Sequence, residues 1–365
     1  MAYGYAYSAL LLVPKFATVV LYANPTQVGQ LASCPVLAAV LAAPFCGRLL
    51  DRGGYRTAML FGTCVFAVSA FGFGSLHELG PLAYALRALH GVGNAFIAGG
   101  SATLVTRLVP SQHHGRAFGT AGAASLMMNA VASSATERLA DAFGWAVAFE
   151  VAGAALFVAL GLALCQPYEA ENADTPATLS VRSAAASRRA GGYATFAAGA
   201  GFGMLITFTQ PYALSLGAVH VATMFVGYTL TALFVRLGMG GAVDRFGRRR
   251  AALLALGVYA ATVLSAAALR PEFLFPLGLC FGLAHGVAWP ALSALAVESA
   301  PPGRIGSALS RMQAQFAAGT VLAVWLGGRI VDARGYPLAF ALVALAVATG
   351  AVALGLPQAR RLPAA

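Results

Sequence analysis

Twelve stretches of this chain are each apolar for long enough to cross a lipid bilayer as a helix, and no water-bathed globular fold accommodates that many. They lie near Ala2–Leu21, Gly29–Leu50, Thr57–Leu76, Leu82–Leu108, Arg116–Glu137 and Trp145–Leu164, then near Gly192–Leu214, Ala218–Leu237, Ala251–Leu269, Phe273–Ala296, Ile305–Ile330 and Leu338–Leu356. About 20 apolar residues span the hydrocarbon core. Only helices and closed barrels satisfy their backbone hydrogen bonds there, and segments of this length read as helices. The rest of the composition agrees: 59% of the 365 residues are hydrophobic and 10% charged, with a mean hydropathy of +0.76. A soluble domain carries about a quarter charged residues. The fold class predicted is therefore an all-α membrane protein of twelve transmembrane helices.

One long polar stretch, Glu169–Gly192, "EAENADTPATLSVRSAAASRRAGG", interrupts the series. Its Ala, Ser, Gly and charged content reads as a flexible linker. It divides the chain into a six-helix bundle over residues 1–168, a linker over 169–191 and a second six-helix bundle over 192–365. With the amino terminus in the cytoplasm, fifteen of the 23 Lys and Arg fall on the cytoplasmic side, four outside and four within helices. That bias predicts both termini in the cytoplasm and a multi-pass protein of the plasma (inner) membrane. The first helix starts almost at Met1 without a basic leader, so either the start is trimmed or the later loops set the topology. No signal peptide is expected. The net charge of +11 sits in short turns between apolar runs, which argues against nucleic acid as a partner. The five cysteines lie scattered in apolar runs and read as small buried hydrophobes, not as a disulfide or metal framework.

The turn after the second helix, "GRLLDRGGYR" (Gly47–Arg56), recurs after the eighth as "GGAVDRFGRRR" (Gly240–Arg250), with Asp51 and Asp244 separated by 193 residues. "VPSQHHGRAFG" and "APPGRIGSALS", after the fourth and tenth helices, repeat at an offset of 191. Such an internal repeat marks a duplicated membrane bundle. The turns resemble the Gly-x-x-x-Asp-Arg-x-Gly-Arg-Arg loop of the major facilitator superfamily, and "RALHGVG" (Arg87–Gly93) is similar to its fourth-helix Arg-x-x-x-Gly-x-Gly pattern. The resemblance covers essentially the whole chain. It implies two pseudo-symmetric six-helix bundles, a functional monomer, no cofactor, and alternating access to a shared central site. It also implies that Gly47, Asp51, Arg52, Gly54, Arg56 and Gly240, Asp244, Arg245, Gly247, Arg248 form gating loops that hold the cytoplasmic side closed. Tyr55 stands where the pattern has a basic residue, which predicts a weaker first latch. Physically, Gly47 and Gly240 allow close helix approach. Asp51 and Asp244 suit helix amino termini of the other bundle.

Polar residues within the hydrocarbon region are costly and mark candidate sites. Lys15 is the only lysine and follows Pro14, which interrupts the first helix and frees carbonyls for a ligand or neighbour. It either faces the cavity or snorkels to the interface. Arg87, His90, Gly91 and Asn94 share one face of the fourth helix. Thr207 and Gln210 stand beside Pro211, read as another helix break. In the tenth helix Gly278, Gly282 and Gly286 form a packing ridge, and His285 lies one turn from Trp289; His285 is either a ligand contact or a satisfied core residue. Arg236 and Arg311 either line the cavity or reinforce the gate. No Asp or Glu is placed deep in a helix by this reading, so His90 and His285 are the relays if protons couple.

The intramembrane charges thus read as positive, which favours an anion as the small-molecule substrate. "PK" in the first helix and "RLGMG" in the eighth are similar to monocarboxylate porters. The function expected is gradient-driven transport of a small organic solute, an organic anion. The alternative is export of drugs or metabolites by proton antiport, although the fifth helix, "GTAGAASLMMNAVASSATE", lacks the Gly-Pro signature of the drug–proton antiporters. There is no nucleotide-binding loop, and no His-Glu-x-x-His or Gly-x-Ser-x-Gly pattern that would point to an enzyme.

Overall fold

The computed structural model describes residues 1–52, 54–110, 113–165, 185–238, 247–300 and 305–356. The first span is in pieces: α1 (Ala2–Ala9), a 3₁₀ turn (Leu10–Leu12) and α2 (Val13–Val19), with Pro14 in the first turn of α2. The break is where the missing proline N–H requires it. Ten single helices and one more complete the set: α3 (Pro25–Asp51), α4 (Tyr55–Gly74), α5 (Pro81–Leu108), α6 (His114–Phe143), α7 (Trp145–Leu164), α8 (Ala185–Ser215), α9 (Ala222–Gly238), α10 (Arg248–Ser265), α11 (Leu274–Glu298), α12 (Ile305–Arg334) and α13 (Tyr336–Gly355). α8 begins seven residues before the expected Gly192, inside the segment read as linker. It also runs unbroken through Pro211, so the break expected there is absent.

The two halves pack alike. In the first, α5 packs on α3 and α4, α7 on α4, and α1 on α6 and α7. In the second, α11 packs on α9 and α10, α13 on α10, and α8 on α12 and α13. Each contact has its counterpart six spans later. The backbone repeats as well. Gly144 joins α6 to α7 at φ 89° and ψ 163°, and Gly335, 191 residues on, joins α12 to α13 at φ 85° and ψ 168°. Side chains are strained in that region, at a cost of about 1–3 kcal/mol. A methyl group on Gly144 would meet nothing within 4 Å, so the strain would be backbone strain alone. Gly144→Ala is therefore expected to lower thermal stability by about that amount. Gly47→Ala, equally unobstructed but helical, should leave the melting curve unchanged or raise it.

The halves meet along α3 with α12 and α6 with α9. Where α3 and α12 cross, a Cβ on Gly29 would collide with the Val324 carbonyl, and one on Gly328 would press on the Pro25 carbonyl at 2.5 Å. The amino end of α3 carries an Asn24–Gln27 capping box, and beside it Thr26 donates from backbone N–H (3.0 Å) and hydroxyl to the Asp332 carboxylate of α12. In the middle, Gln210 Nε2 donates to the Leu11 carbonyl (2.8 Å) and Thr229 Oγ1 to the Leu126 carbonyl (3.1 Å). These links lie in the middle of the molecule and at the face opposite the Gly47–Arg56 turn. At the turn face Asp51 and Arg52 are exposed and nothing stands within 4 Å of a Cβ on Gly47. Among the described residues, the hydrogen bonds that join the halves lie in the middle and at the face opposite that turn, the joined face. The outer surface is apolar, with Leu41, Phe45, Phe234, Leu254, Leu345 and Val352 all well exposed, as a lipid-facing surface requires.

Candidate functional site

The polar residues of the interior fall into three groups. The first is on the inner side of the amino-terminal half. Arg87 of α5, only 6% exposed, donates from Nε to the Leu31 carbonyl of α3 (3.2 Å) and from a terminal nitrogen to His90 Nδ1 (2.8 Å). A guanidinium can only donate, so His90 accepts at Nδ1 and is a neutral imidazole with its hydrogen on Nε2. Its ring stacks on Phe66 (4.6 Å, 8°) and meets Tyr7 edge-on (5.7 Å). Tyr3 hydrogen-bonds Asn94 Oδ1 one turn further along. Arg87, His90 and Asn94 are therefore brought together with Tyr3 and Tyr7 of α1. A second proton on His90 would set it against Arg87, which disfavours it as a relay.

The second group is an aromatic box in the other half. His285 lies 5.0 Å from Phe202 and 6.0–6.1 Å from Tyr228, Phe281, Trp289 and Phe316 by ring centroid, while Trp289 meets Phe316 edge-on at 5.0 Å. Gly278 and Gly282 sit against the Met224 and Tyr228 carbonyls of α9, so that ridge is packing. Arg236 is exposed at the turn-face end of α9 and reaches across to α6, where a Cβ on Gly122 would lie 2.5 Å from its guanidinium. Arg311 is exposed on α12. Thr207 and Gln210 are buried in α8; Gln210 also donates to the Ile206 carbonyl (2.8 Å), and its Oε1 has no partner among the described residues. The Leu11 carbonyl that it binds belongs to the 3₁₀ break, so the carbonyl freed near Pro14 is taken by a neighbour.

The third group contains the residue that sequence reasoning missed. Lys15 Nζ lies 2.6 Å from Glu137 Oε1 and 2.9 Å from the Val219 carbonyl. Glu137 also accepts the backbone N–H of Val221 (2.8 Å), just before α9, and of Ala222 (3.0 Å), its first residue. Both side chains are buried, at 6% and 3% exposure. The expectation that no carboxylate lies deep in a helix is corrected here: α6 continues six residues past Glu137, to Phe143, instead of ending at it. Lys15 points to the joined face and spends its charge on Glu137. The signal available was the polar run Thr136–Asp141 inside an otherwise helical stretch.

Of the gating residues, Gly240, Asp244 and Arg245 lie outside the described residues. Among the described residues nothing stands within 4 Å of a Cβ on Gly47. The Leu49 side chain fills the space over Gly54. Arg56 donates to the Leu164 carbonyl at the end of α7 (2.5 Å). Arg249, 193 residues on, donates to the Leu354 and Leu356 carbonyls at the end of α13 (2.6–2.9 Å). These two arginines cap the last helix of their own half, where positive charge is favoured. The counterpart of Arg56 is thus Arg249, while Arg248 pairs with Glu298 at 2.6 Å. Gly247, at φ 85°, precedes α10.

The sequence profile of the Major Facilitator Superfamily matches residues 1–217 and 191–364. The chain belongs to that superfamily. It is a transmembrane transporter with an all-α fold of two six-helix bundles. The chain is 26% identical over 313 residues to the uncharacterized MFS-type transporter YhhS of Escherichia coli K12, covering 82% of this chain and 76% of that one. It is 32% identical over 139 residues to the uncharacterized MFS-type transporter Rv1250 of Mycobacterium tuberculosis, a match to 35% of this chain and only 24% of the relative. The crystal structure of an auto-inhibited POT family peptide transporter superposes with a TM-score of 0.76 at 12% identity, covering 100% of this chain and 97% of that one. At that identity the likeness concerns the fold alone.

Proposed function

We propose that this transporter moves a small organic anion across the plasma membrane by alternating access, as a monomer driven by a gradient, with the charged turns and both termini on the cytoplasmic side. One observation carries the choice of an anion. Arg87 is buried in the amino-terminal half, against Leu31 and His90, with no carboxylate paired to it among the described residues, whereas Lys15 has its counter-ion in Glu137. Buried charges are paired or neutralised, and a fork of donors beside Tyr3, Tyr7 and Asn94 suits a carboxylate. Arg236, exposed near the mouth, adds attraction for the same sign of charge. The aromatic box around His285 and Trp289 in the other half suits an apolar body on the same solute. The halves then exchange faces: the joined face parts and the charged turns meet. Lys15 serves the joint, and the substrate contacts are Arg87, Asn94, Gln210, Trp289 and Arg236.

Thermal-shift screening of the purified protein against organic acids, amino acids, sugars and lipophilic cations tests this. A ligand at a hundred times its Kd stabilises by about 2.7 kcal/mol. An organic acid is expected to raise the melting temperature, and the rise to vanish in Arg87→Ala. Stabilisation by a lipophilic cation and by no acid would instead establish the drug-export alternative.

A further inference from the structure

We propose that the seam between α4 and α7 binds an anionic phospholipid, with one acyl chain lying in a cavity between the two helices and the phosphate held by arginines at the turn-face end. The site stands apart from the groups assigned to the solute and holds whichever solute is carried.

A cavity of about 480 Å³ lies between α4 and α7, a volume of ligand size. Thr63, Ala67 and Phe71 of α4 line it, with Leu156 and Leu160 of α7. Val68 and Phe157 complete the wall and are 59% and 58% exposed, so the cavity opens outward. The helices that α4 and α7 pack on, α1, α3, α5 and α6, all belong to the same half. The opening therefore faces lipid and not the other half. Water does not suit this space. A buried water needs about two to four polar partners, and the one hydroxyl on the wall, that of Thr63, already donates to the Met59 carbonyl (2.7 Å). An empty space would forfeit the packing of its lining. Within a bilayer, an acyl chain is the material that fills it.

Arg56 marks where the headgroup goes. At three- and four-residue steps Phe71, Ala67, Thr63, Leu60 and Arg56 share one stripe of α4, and Leu156, Leu160 and Leu164 share one stripe of α7. Arg56 closes this seam by donating to the Leu164 carbonyl (2.5 Å). At about 1.5 Å of rise per residue, Thr63 stands roughly 10 Å from Arg56 along the axis and Phe71 roughly 22 Å. Half of a bilayer about 40–45 Å thick, headgroups included, covers that depth. A phosphate at Arg56 thus lays its chain along the cavity as far as the midplane. The charge at this end is suited to it. On α3 and α4 the groups there are Arg48, Arg52 and Arg56 against Asp51 alone, and Arg52 is exposed. Arg107 of α5 adds a guanidinium over the Tyr55 ring (5.4 Å). Arginine forks match phosphate oxygens, and a headgroup that carries its own cation loses that advantage. A second copy of this chain does not fit the space: a stable interface buries about 1,000 Å² or more, whereas this cavity admits a single chain between two helices.

The test uses the full chain purified in detergent. Phosphatidylglycerol and phosphatidylcholine of equal chain length are offered together, the bound ratio is read by native mass spectrometry, and melting is followed with each lipid alone. Phosphatidylglycerol is expected to be retained over phosphatidylcholine and to raise the melting temperature. Glycerol 3-phosphate, a headgroup without chains, should do neither. Cys64→Trp, at the exposed edge of the cavity, should abolish both the retention and the rise. Should that variant fail to fold, a bulky maleimide placed on Cys64 after folding, with the other cysteines replaced, blocks the same space. Arg52→Gln and Arg56→Gln should each lower the phosphatidylglycerol preference about fivefold. Arg56→Gln also uncaps α7 and lowers the melting temperature, but a capping role alone leaves the lipid ratio unmoved. Equal retention of the two lipids, a preference that survives the blocked cavity, or a shift reproduced by glycerol 3-phosphate would overturn the proposal.

Discussion

Replacing Lys15 with alanine is expected to cost the joined conformation about 3–5 kcal/mol, because it leaves Glu137 charged, buried and one donor short. The pair is more than nine-tenths enclosed, so solvent screening relieves little of this. The protein has an escape that a rigid core lacks: parting the halves brings water to the carboxylate. Lys15→Ala should therefore populate the opened face before it unfolds, and a cysteine placed at Val221, buried at the joint, should become reactive toward a membrane-impermeant maleimide. Lys15→Met combined with Glu137→Gln removes both charges and should recover much of the loss. The coupling energy from that double-mutant cycle separates the ion pair from the packing of either side chain. Additive effects of the two substitutions would mean that the pair does not hold the joint.

The second large effect is expected at Arg87. Its guanidinium offers the proposed substrate charge-assisted donors worth about 1.5–3 kcal/mol, so Arg87→Ala should weaken uptake of an organic anion by about 10–150-fold, seen as a rise in KM. Arg87→Lys keeps the charge and loses the fork, and should fall between. Arg87 also holds His90 and the Leu31 carbonyl, so Arg87→Ala is expected to lower the melting temperature as well. The two roles separate by ligand: a structural role alone lowers the melting point without abolishing the shift caused by a bound acid.

Much of the architecture could be read from the sequence because membrane constraints act on each helix separately. Spanning length, the turn at Asp51 and the interruption at Pro14 are local features, and each sits where the chain chemistry requires. Lipid-facing helices such as α7 and α13 are the easiest to recognise. Seven helices pass as membrane spans on length and hydropathy alone, and α5, α6 and α8, which carry Arg87, Glu137 and Gln210, are not among them. Helices that line the space between the halves give up hydropathy to hold polar groups. The same exchange made the end of the fifth span hard to place, since "ATERLADAF" looks like a helix running out into water when it is a helix running into its partner. Which half a side chain binds is a tertiary fact. Nothing near Lys15 in the sequence indicates a carboxylate 122 residues away, and nothing near Arg56 indicates the carbonyl of Leu164. Pro211 misled as well. The helix tolerates the missing N–H and continues to Ser215.

The central claim is that an organic anion crosses through a site built on Arg87, and counterflow in proteoliposomes tests it most directly. Vesicles loaded with an unlabelled organic acid should accumulate the labelled acid transiently, and Arg87→Ala vesicles of equal protein content should not. If every acid tried equilibrates no faster than in protein-free vesicles, while a cationic or neutral solute shows counterflow, the account is contradicted.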